Sequence, residues 1–505
     1  MISIYATTNY HDQLQQIISL EDRLDELVSI IDILEKRPEF SANVLLIKNG
    51  EIAFSLDWYN LQPPFLLPEW VEFTEANLLG IIFSKLNNFE KAYEYLHTKH
   101  PSLFVELDFI NRLQQGLPIS PSELNSSYSP FEEYRLMHNQ GILCYYAATA
   151  EDFDPDKAAY FFSEALACSP SNEHQAFTAR QYALFLTDIQ QPENAIRLIE
   201  DILLTEISTE AKTELKQVLY QALLQQLVIP YDAALLEKLK NTLWEVLQVY
   251  EEQERDRETA LLLMDAGIVA NYSESWSESL GYFNRAISLF EQEELPELVA
   301  NAQYRKGILL FTWAKKGNPQ FFRIAAETFQ KAVQVFTKEE APEVYADIQH
   351  HLGMIYAEIP DEQKKKGIWA AVSSSAFQEA LEIYTKGTHP YEYAAVCNHY
   401  GNALTTYPEA KLSDNMEKAI FYYQEALDIR TPEQYPTERA LTLLNYLEAQ
   451  WYLGMPEDKF DEQRFQDMLQ KAEEIKRLTQ DQRILEEAEK QLEKLALLKS
   501  AYTLA

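Results

Sequence analysis

Apolar residues along most of the chain recur at steps of three and four, the spacing of a helix with one buried face. The segment AAETFQKAVQVF shows the pattern, because Ala325, Phe329 and Ala332 lie on one helical face. The small–aromatic–alanine triplet recurs at Ala158/Phe162/Ala165, Ser279/Phe283/Ala286, Ser373/Phe377/Ala380 and Ala419/Tyr423/Ala426, with weaker copies at Ala92/Leu96 and Ala195/Ile199/Ile202. The pattern therefore predicts a long series of amphipathic helices.

A glycine precedes most of these triplets, by 12 residues from Gly267 to Ser279 and by 20 from Gly353 to Ser373. The chain has only 13 glycines, and six of them occupy this place: Gly80, Gly141, Gly267, Gly307, Gly353 and Gly401. Glycine inside a helix costs about 1 kcal/mol relative to alanine. Its repeated use predicts that each glycine-bearing helix (helix A) is closely approached by the triplet-bearing helix that follows (helix B).

This arrangement resembles the tetratricopeptide repeat (TPR) family, in which antiparallel helix pairs stack into a superhelix. The resemblance implies an all-α fold, a right-handed α-solenoid of TPR-like helical hairpins. Units with longer glycine-to-triplet gaps look similar to the long repeats of bacterial signalling proteins, which often carry a caspase-like protease domain. The sequence shows no α/β segment for such a domain, so we expect no attached effector domain.

The sequence predicts five regions along the chain. They are an atypical N-terminal segment (1–66), N-terminal TPR-like repeats (67–204), a degenerate helical unit (205–258), C-terminal TPR-like repeats with inter-helix insertions (259–456) and charged C-terminal capping helices (457–505). We expect an acidic helix over about residues 10–36. The Asn49-Gly50 pair between two apolar runs is compatible with a β-hairpin or with a helical cap. The C-terminal helices either cap the solenoid or form a coiled-coil seam for self-association.

The strong negative charge changes the range of partners to be expected. The net charge is −36, from 79 acidic and 43 basic side chains. Because this surface repels phosphate, nucleic acid and anionic membranes are poor partners. The charge either keeps the surface soluble or attracts a basic segment of a partner. Three dispersed cysteines, no signal-peptide pattern and no apolar run of about 18 residues predict a cytoplasmic location.

Motifs for catalysis or metal binding are absent from the sequence. It contains no GxSxG elbow, no glycine-rich phosphate loop and no HExxH, so we expect a protein without catalytic residues or cofactors. His350 and His351 are adjacent, and neighbouring helical side chains diverge by about 100°. They cannot chelate one ion together, so no metal site is predicted.

The TPR resemblance implies candidate binding residues on the concave face. In that family, the residues three before and one after the small position of helix A point into the groove. Carried over, these positions are Tyr304, Ile308, His350, Met354, Asn398, Asn402, Asn445 and Ala449. Tyr304, His350, Met354, Asn398, Asn402 and Asn445 are the candidate peptide-binding residues. Asn398 and Asn402 are the leading pair, because amides both donate and accept hydrogen bonds. Alternatively, these asparagines bond only to a neighbouring helix or to water.

These observations predict a non-enzymatic scaffold or adaptor that binds a protein or peptide segment in its groove. The alternative is a regulatory sensor whose curvature responds to a peptide or small ligand and controls a separate effector protein. A ligand-driven change in the radius of gyration would distinguish the sensor from the scaffold.

Overall fold

The structure is a computed structural model that describes residues 2–34, 43–59, 64–117, 129–147, 153–228, 231–408, 414–453 and 460–504. The chain divides into two compact units, Met1–Gln253 (unit 1) and Glu254–Ala505 (unit 2). Both consist mainly of paired α-helices, which confirms the predicted fold class. The predicted boundary between residues 456 and 457 lies outside the described residues.

Unit 1 begins with a small β-sheet of order β2-β1-β3-β4-β5. Its strands are β1 (Ile2–Ala6), β2 (Val28–Asp32), β3 (Val44–Lys48), β4 (Glu51–Phe54) and β5 (Trp70–Glu72). Strand β1 runs parallel to β2 and β3, and the β3–β4 and β4–β5 pairs are antiparallel. Asn49 (φ 56°) and Gly50 (φ 80°) form the tight turn between β3 and β4. Two positive φ angles suit an Asn-Gly hairpin turn.

The predicted helix over about residues 10–36 is wrong beyond its first two turns as far as residue 34, and residues 35 and 36 lie outside the described residues. Helix α1 (His11–Ile18) ends early, and residues 28–32 form strand β2 instead. The sequence Val-Ser-Ile-Ile-Asp is rich in β-branched residues, which favour a sheet when a partner strand is present. That partner is β1, at the start of the chain, so local periodicity did not reveal the pairing.

The described part of unit 1 contains nine further α-helices. They are α2 (Glu75–Lys85), α3 (Phe89–Leu96), α4 (Pro101–Gln114), α5 (Pro130–Ile142), α6 (Pro155–Ala167), α7 (Asn172–Asp188), α8 (Pro192–Leu203), α9 (Thr209–Gln225) and α10 (Ala233–Glu252). Helices α2–α3, α5–α6, α7–α8 and α9–α10 pack as consecutive pairs. The sheet packs on α1 and α2 through a shared apolar core.

Unit 2 contains eleven helices among its described residues. They are α11 (Asp256–Tyr272), α12 (Trp276–Gln292), α13 (Pro296–Lys315), α14 (Phe321–Ala332), α15 (Pro342–Glu358), α16 (Gln363–Ile383), α17 (Pro390–Thr406), α18 (Asn415–Ile429), α19 (Pro436–Leu453), α20 (Glu462–Leu478) and α21 (Gln482–Leu504). The last two helices bury Phe465, Met468, Ala472, Ala488 and Leu495 in the core that they share with α19. None of the helices in the described part of the chain has the length and apolar character needed to span a membrane.

Proline and small polar residues fix where many helices begin. Proline occupies the first turn of α4, α5, α6, α8, α13, α15 and α17, where its missing N–H would have no helical partner. Ser129, Ser171 and Ser208 cap α5, α7 and α9 by accepting a backbone N–H through the side-chain oxygen. Helix starts are therefore encoded locally.

The paired-helix prediction is confirmed by the contacts of the six helix-A glycines. A Cβ atom on any of them would lie 2.3 to 2.9 Å from a side chain of the following helix B. The side chains met are Leu96, Phe162, Phe283, Phe329, Phe377 and Tyr423, which are the middle residues of the triplets. These side chains are all buried. Glycine is therefore required for the close approach of the two helices in each pair.

Candidate functional site

Four A helices of unit 2 line a cavity of about 760 Å³. We call this cavity the unit-2 groove. Its lining residues come from α13 (Phe311, Lys315), α15 (Met354, Ala357, Glu358), α17 (His399, Asn402, Ala403, Thr405, Thr406), α18 (Tyr423) and α19 (Asn445, Glu448, Tyr452). The cavity volume lies in the range usual for small-ligand and peptide pockets.

Of the six candidate residues, three line the groove and three lie beneath or beside it. Met354, Asn402 and Asn445 line the groove. His350 and Asn398 are buried, with 8% and 7% of their surface exposed. Tyr304 is half-buried, and its hydroxyl donates to Asp347 Oδ2 over 2.6 Å. The structure therefore brings three of the six to one cavity.

Two asparagines present amide groups to the groove. The Tyr423 hydroxyl donates to Asn402 Oδ1 over 2.7 Å, and Asn445 Nδ2 donates to Asn398 Oδ1 over 3.3 Å. Among the described residues, Asn402 Nδ2 and Asn445 Oδ1 have no hydrogen-bond partner. One donor and one acceptor thus remain for a ligand. The available pair is Asn402 and Asn445, whereas Asn398 orients Asn445 from below.

Residues one helical turn further along also line the groove, although the TPR resemblance did not assign them to it. Phe311, Ala357, Thr405 and Tyr452 each follow the small position of their helix by four residues. Positions one and four after a residue share a helical face. The repeat alignment therefore contained the signal for this second row of lining residues.

Two of the charged side chains that line the groove form an ion pair with each other, and a third does not. Lys315 Nζ lies 2.6 Å from Glu358 Oε1. Glu448 has no ion-pair partner among the described residues. Burial raises the pKa of the Tyr423 phenol, and the nearby charge of Glu448 raises it further. Tyr452 is 73% exposed. The end of the groove at α19 therefore offers an unpaired carboxylate beside an exposed aromatic ring.

Three histidines form a polar cluster at the groove, in which His350 is buried and His351 and His399 are partly buried. His350 Nε2 lies 2.8 Å from His399 Nδ1, and His351 Nδ1 lies 3.3 Å from Asp347 Oδ2. Burial lowers the pKa of His399 to about 4, with help from the nearby charges of Arg430, His351 and Lys315. Burial and the neighbouring histidines place the pKa of His350 well below its ordinary value. Both imidazoles are therefore neutral at physiological pH.

His351 titrates in the opposite direction. Burial lowers its pKa, but the hydrogen bond and charge of Asp347 outweigh burial and raise it above the ordinary value. Burial raises the pKa of Asp347, and its bonds to His351 and Tyr304 outweigh this and lower it to about 2. Within the described residues, no group of three or more His, Cys, Asp or Glu side chains could hold a metal ion.

Acidification is expected to destabilise unit 2 through His350 and His399. Their folded-state pKa values lie below the unfolded value, so the stability of the neutral pair is complete above about pH 6.5 and is lost as the pH falls toward 4. If both imidazoles were protonated, neither facing nitrogen could accept a hydrogen bond. The bond between His350 and His399 would then also be lost. Urea unfolding of the full chain at pH 7 and pH 4.5 should show a smaller pH effect in His399→Gln than in the wild type, by about 1–3 kcal/mol.

The matched control for this prediction is His97→Gln, which changes an exposed histidine in unit 1. It should leave the pH dependence of the wild type in place. Equal pH dependence in the wild type and in His399→Gln would contradict the assignment of acid sensitivity to this pair.

Unit 1 shows how a helix-A face of this chain holds an extended segment. The residues between β4 and β5 reach α5, where Asn139 Oδ1 accepts from the Leu66 N–H and Asn139 Nδ2 donates to the Leu66 carbonyl, both over 2.8 Å. His138 Nε2 donates to the Pro64 carbonyl over 2.7 Å. Burial lowers the pKa of His138 to about 4, so this imidazole is neutral and keeps its Nε2 proton for the bond.

His138 occupies the same position in its repeat as three of the candidate residues of unit 2 occupy in theirs. His138 lies three residues before Gly141, and Tyr304, His350 and Asn398 lie three residues before the glycines of their own helices. Asn139 is its neighbour. The helix-A face thus binds the backbone of an extended segment in unit 1, through an amide that donates and accepts at once.

Comparison with family models and with curated proteins finds no match to this sequence. Among solved structures, the chain is similar to the yeast Tom70 crystal structure, with 13% identity, a TM-score of 0.36, and coverage of 85% of this chain and 82% of that chain. It is also similar to the human IFIT1 dimer with PPP-AAAA, with 16% identity, a TM-score of 0.38, and coverage of 84% and 90%. Similarity at this level carries no inference about function. The description of the repeats as TPR-like helical hairpins rests on their own glycine–aromatic packing.

Proposed function

We propose that the unit-2 groove binds an extended segment of another protein and that the chain is a non-catalytic scaffold or adaptor. One observation carries this proposal: Asn402 Nδ2 and Asn445 Oδ1 line the groove and lack a partner among the described residues. A peptide backbone offers the complementary carbonyl and N–H at regular intervals.

The unit-1 contact supports this mode of binding. Asn139 bonds both the N–H and the carbonyl of Leu66, so an asparagine of a helix-A face is able to satisfy one residue of an extended backbone. In unit 2 the donor, Asn402 Nδ2, lies on α17 and the acceptor, Asn445 Oδ1, lies on α19. Tyr423 and Asn398 hold these amides in place, which reduces the entropy lost on binding.

The charges at the α19 end favour a basic side chain in the bound segment. Glu448 has no ion-pair partner among the described residues, and Tyr452 exposes its ring nearby on the same helix, one turn along. A lysine or arginine would pair with the carboxylate and pack on the ring. An exposed ion pair of this kind contributes up to about 1 kcal/mol, so we expect it to select the register of the segment more than its affinity.

A display library of random linear peptides of about 12 residues, selected on the full chain, tests the proposal. Enriched peptides would be synthesised and titrated by calorimetry. Asn402→Ala/Asn445→Ala should bind them roughly 5- to 150-fold more weakly, because two hydrogen bonds of about 0.5–1.5 kcal/mol each are lost. The variant also removes the acceptor of the buried Tyr423 hydroxyl, so affinities are compared at a temperature at which thermal melting shows that the variant is folded.

The matched control is Asn241→Ala/Asn284→Ala, which removes two exposed asparagines from α10 and α12, outside the groove. Its affinity should equal that of the wild type. The proposal fails if no peptide is enriched, or if enriched peptides bind the groove variant as tightly as the wild type. A change in the radius of gyration on peptide binding would favour the sensor alternative.

Two finer expectations belong to the same proposal. We infer a cytoplasmic location from the dispersed cysteines, all three of which are free thiols in the structure. We also propose kinship with the long-repeat bacterial variety of TPR protein. The support is the added residues at the helix ends, since α13 and α16 run for 20 and 21 residues.

A further inference from the structure

The connection between β4 and β5 is longer than the sheet requires. The two strands are antiparallel neighbours, and Phe54 N still donates to Glu69 O over 3.4 Å beyond the paired residues. Residues 55–69, fifteen in all, therefore leave the sheet and return to it at nearly the same point. Hairpin loops usually have two to five residues, and much longer connections commonly have a function. The described parts of this connection, residues 55–59 and 64–69, contain no helix or strand.

Residues 64 and 66 of the loop contact α5 through their backbone. Asn139 bonds the N–H and the carbonyl of Leu66, and His138 bonds the carbonyl of Pro64. Arg135 Nη1 also approaches the Leu66 carbonyl at 3.5 Å, while pairing with Glu106. Backbone recognition of this kind does not depend on one particular sequence, which is how peptide-binding sites hold an extended segment.

The helix side of the contact is a built polar site. His138 and Asn139 are 0% and 1% exposed, so they have no access to water while the loop is in place. The second ring nitrogen of His138 is held by the Thr178 hydroxyl at 2.9 Å. Buried groups of this kind need their partners, because an unpaired one costs about 1–3 kcal/mol. The site is therefore complementary to a segment rather than to an apolar core.

Two aromatic anchors flank the backbone contacts. Trp58 is fully buried, its ring lies edge-on to Phe177 at 5.2 Å, and its indole N–H donates to Glu173 Oε1 over 3.1 Å. Phe65 packs edge-on against Phe109 of α4 at 6.1 Å. Large aromatic side chains in buried pockets contribute most of the energy in many protein–protein interfaces. The loop thus has the composition of a peptide ligand.

We infer that the α5/α7 site, formed by Arg135, His138, Asn139, Glu173 and Phe177, is a second segment-binding site of this chain. Trp58 and residues 64–66 are its internal ligand, and an external extended segment with a tryptophan and a Phe-Leu pair competes for it. This inference does not rest on the unit-2 groove. Because the tethered loop has an effective concentration in the millimolar range, the intact chain hides the site from weak competitors.

Excision of the loop tests the inference. Residues 55–68 are replaced by Asn-Gly, a two-residue turn that joins Phe54 to Glu69 in their observed register. A synthetic peptide covering residues 55–69 is titrated into this variant by calorimetry. We expect the peptide to bind the excised variant at least 10-fold more tightly than the intact chain. A peptide with Trp58→Ala, and the excised variant with Asn139→Ala, should each reduce the affinity at least 10-fold. A folded excised variant that does not bind the peptide overturns the inference.

Hydrogen exchange on the intact chain provides a second test that does not depend on the excised variant folding. If the loop is an exchangeable ligand, the Leu66 amide should exchange by local opening, faster than the central amides of α7. Asn139→Ala should accelerate exchange at residues 65–67 and leave α7 unchanged. Exchange of Leu66 at the rate of the α7 core, in both the wild type and Asn139→Ala, would show that the loop opens only when unit 1 unfolds, and would also overturn the inference.

Discussion

Replacing Glu214 with alanine is expected to lower the free energy of unfolding of unit 1 by about 3–5 kcal/mol. Glu214 Oε2 lies 2.9 Å from Arg180 Nη2, and the two side chains are only 4% and 5% exposed. Its other carboxylate oxygen accepts from the Tyr250 hydroxyl over 2.8 Å. Nε and Nη1 of Arg180 have no hydrogen-bond partner among the described residues. Without Glu214, the buried guanidinium would keep its charge and lose its counter-ion.

Urea unfolding of the full chain would measure this effect, and an exposed pair in the same unit gives the control. Lys238 and Glu200 are 2.6 Å apart but 44% and 45% exposed, so Glu200→Ala should cost at most about 1 kcal/mol. The double variant Arg180→Met/Glu214→Met should be far more stable than Glu214→Ala, because it buries no unpaired charge. Equal losses in Glu214→Ala and Glu200→Ala would contradict the prediction.

Replacing Phe283 with alanine is expected to destabilise unit 2 by about 3–5 kcal/mol. Phe283 of α12 is 1% exposed, and its ring covers the backbone of α11 at Gly267. The Ser279 hydroxyl donates to the Gly267 carbonyl over 2.6 Å and fixes the same crossing. The loss combines the transfer of the ring with the cavity that it leaves. Thermal and urea unfolding of the full chain would measure it.

The substitution Gly267→Ala should have opposite effects on stability in the wild type and in the Phe283→Ala variant. In the wild type, its Cβ would lie 2.8 Å from Cε1 and Cζ of Phe283, so Gly267→Ala should destabilise by about 1–2 kcal/mol despite its better helix propensity. In Phe283→Ala the three atoms nearest to this Cβ are absent, so the same change should stabilise. The control is Gly281→Ala on α12, where a Cβ would contact nothing within 4 Å and should stabilise by up to about 1 kcal/mol in both backgrounds. A stabilising Gly267→Ala in the wild type would contradict this view of the hairpin.

Local pattern was sufficient to predict the helical hairpins. Steps of four and three defined the buried faces, and the glycines marked where helix A is approached, as the Gly353–Phe377 and Gly401–Tyr423 contacts confirm. This succeeded because each hairpin is formed by residues about 12 to 24 positions apart, and its periodicity is written within that window. The Asn49-Gly50 turn is local for the same reason.

The candidate site could be predicted only in part from the sequence. The alignment located the face on which Met354, Asn402 and Asn445 lie. It could not show that Asn398 is buried beneath Asn445, because that depends on how far α17 and α19 are separated. It also missed Glu448 and Tyr452, which lie on the degenerate last repeat, where the small residue is replaced by glutamate.

The sequence by itself determined the repeats, the faces of their helices and the residues that pack inside each pair. Only the tertiary structure decided the pairing of β1 with β2 and β3, and the placement of Trp58 and Leu66 against α5 and α7. Leu66 and Asn139 are 73 positions apart, and β1 joins strands that begin at residues 28 and 44. Contacts of this kind produce no regular spacing of hydrophobic residues in the sequence. Their burial and hydrogen bonds form only when segments that are far apart in the sequence come together.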